Sequence, residues 1–350
     1  MESTRQGNVT RRNFLARAGW SVAGGWAAIN VAKQAMGEAC CSGAPCQAAL
    51  VHGNSRAGNT VQAMKLIEAQ IKQGLAKKKT VVIKPNMVVV DKPLSASHAD
   101  YLEGILDFLK PHFKGDIIIA ESPAGGSAAE GFSNYGYDRL KKKYPIKFLD
   151  LDEQPSTTRQ VVNERWHASP VRISKLLLDP NVYLISAAAL KTHDRAVVTL
   201  SSKNITVGAA LKDAGWHWRG GKKGKSDKPA VHGGPQNQAI HWNLFHLAKE
   251  LQPDLALIDG FQAMEGNGPV GGTPVDHKVV IASTDFVAAD RIGVELMGFD
   301  FKKVGYLSFC AQAGLGQGDL SKIEILGQRV ADHVKKYRPH DNIEQQYKWM

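Results

Sequence analysis

Residues 182–204 read VYLISAAALKTHDRAVVTLSSKN. The first part, residues 182–190, is mostly apolar and has the length of a buried strand. Polar side chains follow directly, among them Lys191, His193 and Lys203. Ligands of α/β proteins bind beyond the carboxyl ends of the strands, so this stretch predicts a strand that opens into a site.

Buried strands of this kind recur along the chain and alternate with helical segments. Short apolar runs with strand character begin near positions 48, 80, 115, 146, 254, 277 and 322. Residues 59–76 and 99–113 lie between the first three runs and carry apolar side chains at helical spacing. This alternation predicts an α/β fold with a largely parallel sheet flanked by helices.

One segment, residues 213–238, interrupts the alternation and is rich in glycine, lysine and tryptophan. We predict that it forms one long loop, because loops of more than about 15 residues are usually functional or disordered. Trp216, Trp218 and Arg219 are candidate substrate-binding residues that would cover an anion or stack on a flat ligand. This is the one segment of the sequence that combines basic and aromatic residues in this way, so a nucleic-acid partner is not expected.

The amino terminus has the pattern of a twin-arginine signal peptide. Arg11 and Arg12 are followed by Asn-Phe-Leu and by a mildly apolar stretch at 18–32, which is too short and too polar for an ordinary membrane-spanning helix. We expect a signal peptide at 1–38, the twin-arginine export machinery as a partner and a periplasmic or other extracytoplasmic location. Contact with a membrane is expected only through this segment, if it stays uncleaved.

The remaining boundaries follow from composition. We predict a linker at 39–47, an α/β domain at 48–330 and a charged carboxyl-terminal tail at 331–350. The twin-arginine machinery exports folded proteins, often with a cofactor already bound, so a divalent metal or another cofactor remains open.

The chain is basic, with 44 Lys and Arg against 33 Asp and Glu and a formal charge of +11. This excess favours anionic partners, which include acidic metabolites, phosphates, nucleic acid and acidic lipid headgroups, and charge alone does not choose among them. The cysteines are four, at positions 40, 41, 46 and 310, and they do not form the C-x2-C-x2-C run of a bacterial ferredoxin. A ferredoxin-type iron–sulfur cluster is therefore not expected, and a disulfide among the first three cysteines, or none, is the simpler interpretation.

Five blocks of the sequence resemble the motifs of a known family, both in their residues and in their order. They are VVIKPNMV (81–88), ALKTHDRAVVTLSSKNITVG (189–208), PDLALIDGFQAMEGNGPVGG (253–272), ASTDFVAADRIGVELMG (282–298) and GLGQGDLSKIEILG (314–327). Residues 48–328 are similar to the DUF362 proteins, named for a domain of unknown function, so the resemblance implies no particular reaction. Many members carry ferredoxin-type cysteine motifs that this sequence lacks. The Leu-Lys-Thr-His arrangement at 190–193 also resembles the amino-terminal half of nickel-pincer lactate racemases.

Lysines, a histidine and two asparagines form the candidate site. Lys84 and Asn86 flank a proline that cannot continue the strand ladder, although a solvated lysine at a strand-end turn is an equally simple interpretation. Lys191 and His193 alternate as strand residues do and would share one face. We predict catalytic roles for His193, Lys191 and Lys84 and substrate binding by Asn86, Lys203 and Asn204. The lysines would hold negative charge and His193 would act as general acid or base, because histidine titrates near neutrality, unless it only caps a turn with Asp194.

Carboxylates later in the chain suggest a second set of functional groups. Asp259 ends a predicted strand and Glu265 lies in a glycine-rich segment, so both are candidate ligands of a divalent cation or a second proton-transfer group. Asp285 and Asp290 could contribute to the same cation site. Asp285 also lies where a helix N-cap is expected, which explains it without a metal.

These features predict an exported α/β enzyme of unknown reaction that acts on a small anionic substrate, with the metal or cofactor left open. The alternative is a periplasmic protein that binds a ligand or carries a cofactor without turnover.

Overall fold

The structure is a computed structural model that describes residues 46–214, 216–217, 224–234 and 237–349. The predicted signal peptide, most of the predicted linker, and Trp218 and Arg219 lie outside the described residues. The first described strand begins at Cys46, so the last two residues of the predicted linker belong to the sheet.

Most of the strands join one mixed, mainly parallel sheet. The described residues form β1 (Cys46–His52), β2 (Thr80–Pro85), β3 (Asp116–Glu121), β4 (Ile146–Asp150), β5 (Ser156–Val162), β6 (Ala168–Ser174), β7 (Val182–Thr192), β8 (Val198–Thr199), β9 (Leu255–Glu265), β10 (Thr273–Ser283) and β11 (Ile323–Gly327). The sheet order is β11-β1-β10-β9-β7-β2-β3-β4, with β8 paired to β7. Strands β9, β7, β2, β3 and β4 run parallel, whereas β10 is antiparallel to both of its neighbours. The predicted α/β fold with a largely parallel sheet is confirmed.

Helices cover both faces of this sheet. They are α1 (Arg56–Leu66), α2 (Glu68–Leu75), α3 (Ala99–His112), α4 (Ala128–Asn134), α5 (Asp138–Lys141), α6 (Ser201–Gly208), α7 (Lys228–His232), α8 (Asn237–Ala248), α9 (Phe286–Leu296), α10 (Gly305–Gln312) and α11 (Ile343–Gln346). Short 3-10 turns lie at 93–95, 151–153, 176–178, 301–303, 320–322 and 330–333. Among the described residues, none of the helices is long and apolar enough to cross a membrane.

The core consists of two layers, one on each face of the sheet. Alternate strand residues point to opposite faces, so Val81 and Ile83 pack with α1 and α3, whereas Val82 packs on the other side with α6, α8 and α9. The antiparallel hairpin of β5 and β6, which the sequence patterns did not predict, contributes Val161 and Val171 to this second layer.

The topology places a crevice between β2 and β7. From β2 the chain moves to its neighbour β3, towards one edge of the sheet. From β7 it moves to its other neighbour β9, towards the opposite edge. Adjacent parallel strands whose connections diverge in this way form a topological switch point, which is where open α/β sheets bind ligands. The carboxyl ends of β2 and β7 carry Lys84 and Lys191, so the predicted residues lie at this position.

Two segments differ from the sequence-based expectation. The predicted loop at 213–238 contains α7, whose residues turn out to be part of the candidate site. The carboxyl-terminal tail, expected to be helical, is helical only over short stretches such as α11, and it packs on the domain, because Tyr337 and Gln346 are buried and Gln346 Oε1 accepts a 2.6 Å hydrogen bond from the Val197 amide.

Candidate functional site

A polar cavity of about 200 Å³ lies at the switch point, beyond the ends of β2, β3 and β7. It is too small for a drug-sized ligand, whose pockets measure about 300–1,000 Å³. The polar side chains that line it are Lys84, Asn86, Glu121, Ser122, His193, Asp194, Thr199, Lys203, Asn204, Lys228 and His232.

A buried ion pair forms the floor of the cavity. Lys84 Nζ lies 2.7 Å from Glu121 Oε1, and both side chains are about 1% exposed. The same ammonium donates to the Pro85 carbonyl at 3.0 Å and to Asn204 Oδ1 at 3.4 Å. Burial raises the pKa of Glu121 while Lys84 opposes the shift, and Glu121 Oε2 has no hydrogen-bond partner among the described residues. A ligand that donates a proton or a hydrogen bond could satisfy this oxygen.

Asn204 connects this ion pair to β7. Its amide nitrogen donates to the Lys84 carbonyl and to Ser186 Oγ, and its Oδ1 accepts from Asn86 Nδ2 at 3.1 Å. The Oδ1 of Asn86 is buried and receives no hydrogen bond within the described part of the chain. The predicted pair of asparagines is therefore brought together, with one amide oxygen left available.

Helix α6 carries Lys203 and Asn204 and is held at both ends by charged groups. At its start, the buried Asp290 carboxylate accepts hydrogen bonds from the Ser201 and Ser202 amides at 2.7 and 2.9 Å. At its end, the Lys228 ammonium donates to the Ala210 carbonyl at 2.6 Å. Both contacts complement the helix dipole. Asp290 therefore has a structural role, and burial raises its pKa to about 7.

Lys203 differs from the other lysines around the cavity. It is buried, and it makes no hydrogen bond or ion pair with any residue that the structure describes. Burial lowers its pKa to about 8. Lys191, by contrast, donates to the Ser95 carbonyl at 3.0 Å and lies behind the cavity wall, where burial and the charge of Lys203 hold its pKa well below the usual value.

His193 is a neutral imidazole at the rim of the cavity. Its Nδ1 accepts a 3.0 Å hydrogen bond from the Arg195 amide, and a half-exposed Asp194 carboxylate lies 3.0 Å from the same atom. The backbone N–H is fixed in position, so we assign the ring proton to Nε2. Burial, followed by the charge of Lys203, lowers the pKa of His193 well below its ordinary value. The expectation that this histidine titrates near neutrality is therefore not met.

Helix α7 supplies two site residues that the sequence patterns missed. Lys228 and His232 lie one turn apart, and the His232 ring stacks on that of His193 with centroids 6.0 Å apart. Burial lowers the pKa of Lys228 to about 8 and that of His232 to about 3. Lys228 and His232 are four residues apart and follow Asp227, a spacing that is typical of a short helix. Because residues 213–238 were predicted to be a loop, this helix was not recognised.

One further site residue, Glu121, comes from a strand end. Glu121 is the last residue of β3, and Lys84 is the next to last residue of β2. The position of a polar residue at the end of a strand, which pointed to Lys84, therefore also points to Glu121. Behind it, Ser122 Oγ donates to Asp152 Oδ1 at 2.7 Å, and Asp152 pairs with the fully buried Lys212. This second ion pair neutralises Lys212, so Lys212 adds no net charge to the cavity.

The predicted metal ligands do not meet. Asp259 pairs with Arg56 at 3.2 Å, and burial raises its pKa to about 6. Glu265 accepts a hydrogen bond from the Arg338 amide and lies six residues further along β9, roughly 20 Å away at about 3.3 Å per residue. Neither lines the cavity, and the described residues contain no group of three or more His, Cys, Asp or Glu side chains placed to hold a metal ion. The structure therefore separates the two carboxylates.

Asp285 is the N-cap of α9, which the sequence had suggested as the alternative to a cation site. Its Oδ1 accepts from the Val287 and Ala288 amides at 2.9 and 3.0 Å. The second oxygen accepts from the Gln317 amide at 2.8 Å. These contacts satisfy the carboxylate without a cation.

An outer cleft of about 500 Å³ adjoins the polar cavity and is mostly apolar. Val88, Val89, Pro229 and Val270 line it, together with the predicted substrate-binding residue Trp216. The two spaces share Val88, Ala124, Lys228 and His232.

Basic side chains outnumber acidic ones along the cavity, with three lysines against Glu121 and Asp194. Two ion pairs neutralise Lys84 and Lys212, whereas Lys203 and Lys228 have no carboxylate within hydrogen-bond distance among the described residues. Asp194, at the rim, is half-exposed, and its Oδ1 lies 3.0 Å from His193 Nδ1. Desolvated ammonium groups gain most from an anion in the same cavity.

Comparisons with known proteins identify relatives but no reaction. A family model described as "Domain of unknown function (DUF362)" matches residues 81–295. A thylakoid-associated protein of Synechocystis sp. is 27% identical over 224 residues, which are 63% of this chain and 63% of that relative. The chain therefore spans less than two thirds of the length of this curated relative.

Two solved structures are similar to parts of the chain. A protein from Thermotoga maritima is 12% identical with a TM-score of 0.44, over 70% of this chain and 60% of that chain. The lactate racemase apoprotein from Thermoanaerobacterium thermosaccharolyticum is 13% identical with a TM-score of 0.39, over 72% of this chain and 56% of that chain.

Proposed function

This chain belongs to the DUF362 family, whose description assigns no activity, and we propose that it is an exported enzyme that transfers a proton on a small anionic substrate. The observation that carries the proposal is the buried Lys203 ammonium, which lines the cavity beside a neutral histidine and has no hydrogen-bond partner among the described residues.

Anion binding is supported by the burial of two lysines in the cavity wall. Burial disfavours the charged forms of both Lys203 and Lys228, as their lowered pKa values indicate. A carboxylate or phosphate in contact with Lys228 would stabilise its ammonium form and raise its pKa. The volume of the cavity favours a substrate with few heavy atoms.

Proton transfer is supported by the state of His193. An imidazole that is neutral near pH 7 can accept a proton at one nitrogen or donate one from the other. Its Nδ1 accepts from the Arg195 amide, so the neutral ring carries its proton at Nε2 and can donate a hydrogen bond to the substrate there, while uptake of a second proton would take place at Nδ1 and pair the ring with Asp194. A bound anion would partly cancel the charge of Lys203 and raise the pKa of His193 towards the working range of a general base.

Export is part of the same proposal and rests on Arg11 and Arg12. The thylakoid association of the Synechocystis relative is a property of that protein, and we propose for this chain only a location outside the cytoplasm. Replacing both arginines with lysine in the full chain should retain the protein in the cytoplasmic fraction. Export of the double variant at the wild-type level would contradict the proposal.

Binding tests the site directly. We expect small carboxylates or inorganic phosphate to raise the melting temperature of the wild type, and Lys203→Met to abolish that shift. The matched control is Lys110→Met, which removes an exposed lysine from α3 and should bind as the wild type does. Equal shifts in all three proteins would place the anion elsewhere.

Turnover is tested by proton NMR in D2O with the same panel of anions. The enzyme should exchange a carbon-bound hydrogen of its substrate for deuterium, and His193→Ala should bind the anion without this exchange. Saturable binding without exchange by any member of the panel would indicate a carrier rather than an enzyme. Native mass spectrometry with elemental analysis of protein from its own host tests whether a metal or cofactor accompanies the chain.

A further inference from the structure

The three lysines that line the cavity differ in the ion pairs and hydrogen bonds that they form with other groups. Lys84 is paired with Glu121, and Lys228 donates to carbonyls at the end of α6. Lys203 reaches the same cavity from the first turn of α6 and has no hydrogen-bond partner among the described residues. Its amine is therefore the one that can change its protonation state or form a new bond without breaking an existing contact.

A buried amine of this kind is suited to nucleophilic chemistry. The neutral amine, not the ammonium, attacks a carbonyl carbon, and desolvation beside other cations increases the neutral fraction. For Lys203 the pKa of about 8 leaves roughly one amine in ten neutral at pH 7. An exposed lysine with an ordinary pKa of about 10.4 has fewer than one in a thousand.

We propose that Lys203 Nζ forms a Schiff base with the carbonyl carbon of a substrate that also carries an anionic group, the simplest class being a 2-oxo acid. The inference rests on the proposed function, because it places the anion of the substrate in the same cavity. The anionic group would contact Lys228 and the Lys84 pair, which leaves Lys203 for the carbonyl.

The covalent step is a condensation and needs no oxidant or reductant. The lone pair of the Lys203 amine forms the carbon–nitrogen bond, and the carbonyl oxygen takes up a proton to give a carbinolamine. A second proton transfer releases that oxygen as water, and the product is the imine. His193 lines the cavity with a neutral imidazole and can relay these protons, and the protonated imine then acidifies the neighbouring C–H bond.

Borohydride trapping tests this inference. The protein is incubated with pyruvate, 2-oxobutyrate or 2-oxoglutarate, reduced with sodium borohydride, and examined by intact mass and peptide mapping. We expect one adduct per chain on Lys203 with at least one of the three, faster at pH 8.5 than at pH 7. Lys203→Arg should lose the adduct, whereas Lys110→Arg, at an exposed lysine far from the cavity lining, should keep it, and unchanged circular dichroism of Lys203→Arg verifies its fold.

The outcomes separate this inference from the proposed function. If non-carbonyl carboxylates or phosphate shift the melting temperature but no 2-oxo acid is trapped on Lys203, the Schiff base is refuted and anion binding stands. Labelling spread over exposed lysines, or retained in Lys203→Arg, also refutes it. If no anion of either kind shifts the melting temperature or leaves an adduct, both proposals fail.

Discussion

Replacing Lys84 with methionine removes one partner of the buried ion pair and leaves the Glu121 carboxylate without its cation. Both side chains are about 1% exposed, and the second oxygen of Glu121 already has no partner among the described residues. Breaking a buried pair from one side costs about 3–5 kcal/mol, because an uncompensated charge remains in the interior. We expect Lys84→Met to lower the free energy of unfolding by about this amount.

The double variant Lys84→Met/Glu121→Gln removes both charges and should lose less than the single variant. A neutral pair of similar size avoids the desolvated charge, and replacing buried ion pairs in this way is often close to neutral. The matched control is the pair of Lys147 and Asp116 on β4 and β3, whose side chains are 66% and 61% exposed. Lys147→Met should cost less than about 1 kcal/mol, because surface pairs contribute little.

The penalty of Lys84→Met should also depend on pH. Without the cation, the pKa of Glu121 in the folded protein rises further above its unfolded value of about 4.3. A carboxyl whose folded pKa is raised contributes its full stability below the unfolded pKa and loses that contribution as pH rises through the folded pKa. The cost should therefore be small at pH 5 and large at pH 8.

Urea unfolding followed by circular dichroism at both pH values measures these differences. The reasoning requires that the single variant be less stable than the double variant at pH 8, with similar urea dependence of the unfolding free energy. Equal stability of the single and double variants, or a penalty that does not change between pH 5 and pH 8, would refute it.

Three further substitutions test the surroundings of the site. Gly208→Ala would place its methyl group on the Lys84 Cε, so we expect a loss of about 1–3 kcal/mol in urea unfolding; wild-type stability would contradict that packing. Asp290→Asn removes a carboxyl whose pKa is raised to about 7, so the unfolding free energy of the wild type, relative to that of the variant, should fall between pH 5 and pH 8. A difference that stays constant over this range would argue against the raised pKa of Asp290. Gln346→Ala leaves the buried Val197 amide without its acceptor and should cost about 1–3 kcal/mol, and an unchanged melting temperature would show that the tail does not support this turn.

The fold was largely predictable because its signals are local. Apolar runs of strand length and helical spacing depend on neighbouring residues, and they identified the strands that carry Lys84 and Lys191. The sequence patterns missed the β5–β6 hairpin and the short helix α7. Helix α7 has only five residues, too few for periodicity to be recognised, and it is stabilised by contacts such as that of Lys228 with the Ala210 carbonyl.

The sequence predicted many of the residue types of the site. It gave much less information about which residues contact each other there. Lys84, Asn86 and Asn204 were expected near a ligand, and the structure joins them across 118 to 120 residues of sequence. Asp259 and Glu265 fitted the chemistry of a cation site equally well, but they lie far apart on one strand. The sequence had suggested that a strand ends at Asp259, whereas β9 continues to Glu265 and its extended backbone keeps the two carboxylates apart.

The sequence by itself determined the alternation of strands and helices, the excess of positive charge and the presence of lysines and a histidine at strand ends. Only the tertiary structure decided their states. Burial beside Lys203 lowers the pKa of His193, and Lys84 rather than Lys203 is the lysine that pairs with Glu121. Desolvation and Coulomb interactions depend on distances in space, and residues far apart in the chain set those distances together. The sequence therefore identified many of the residues of this cavity, but their contacts and protonation states depend on the fold.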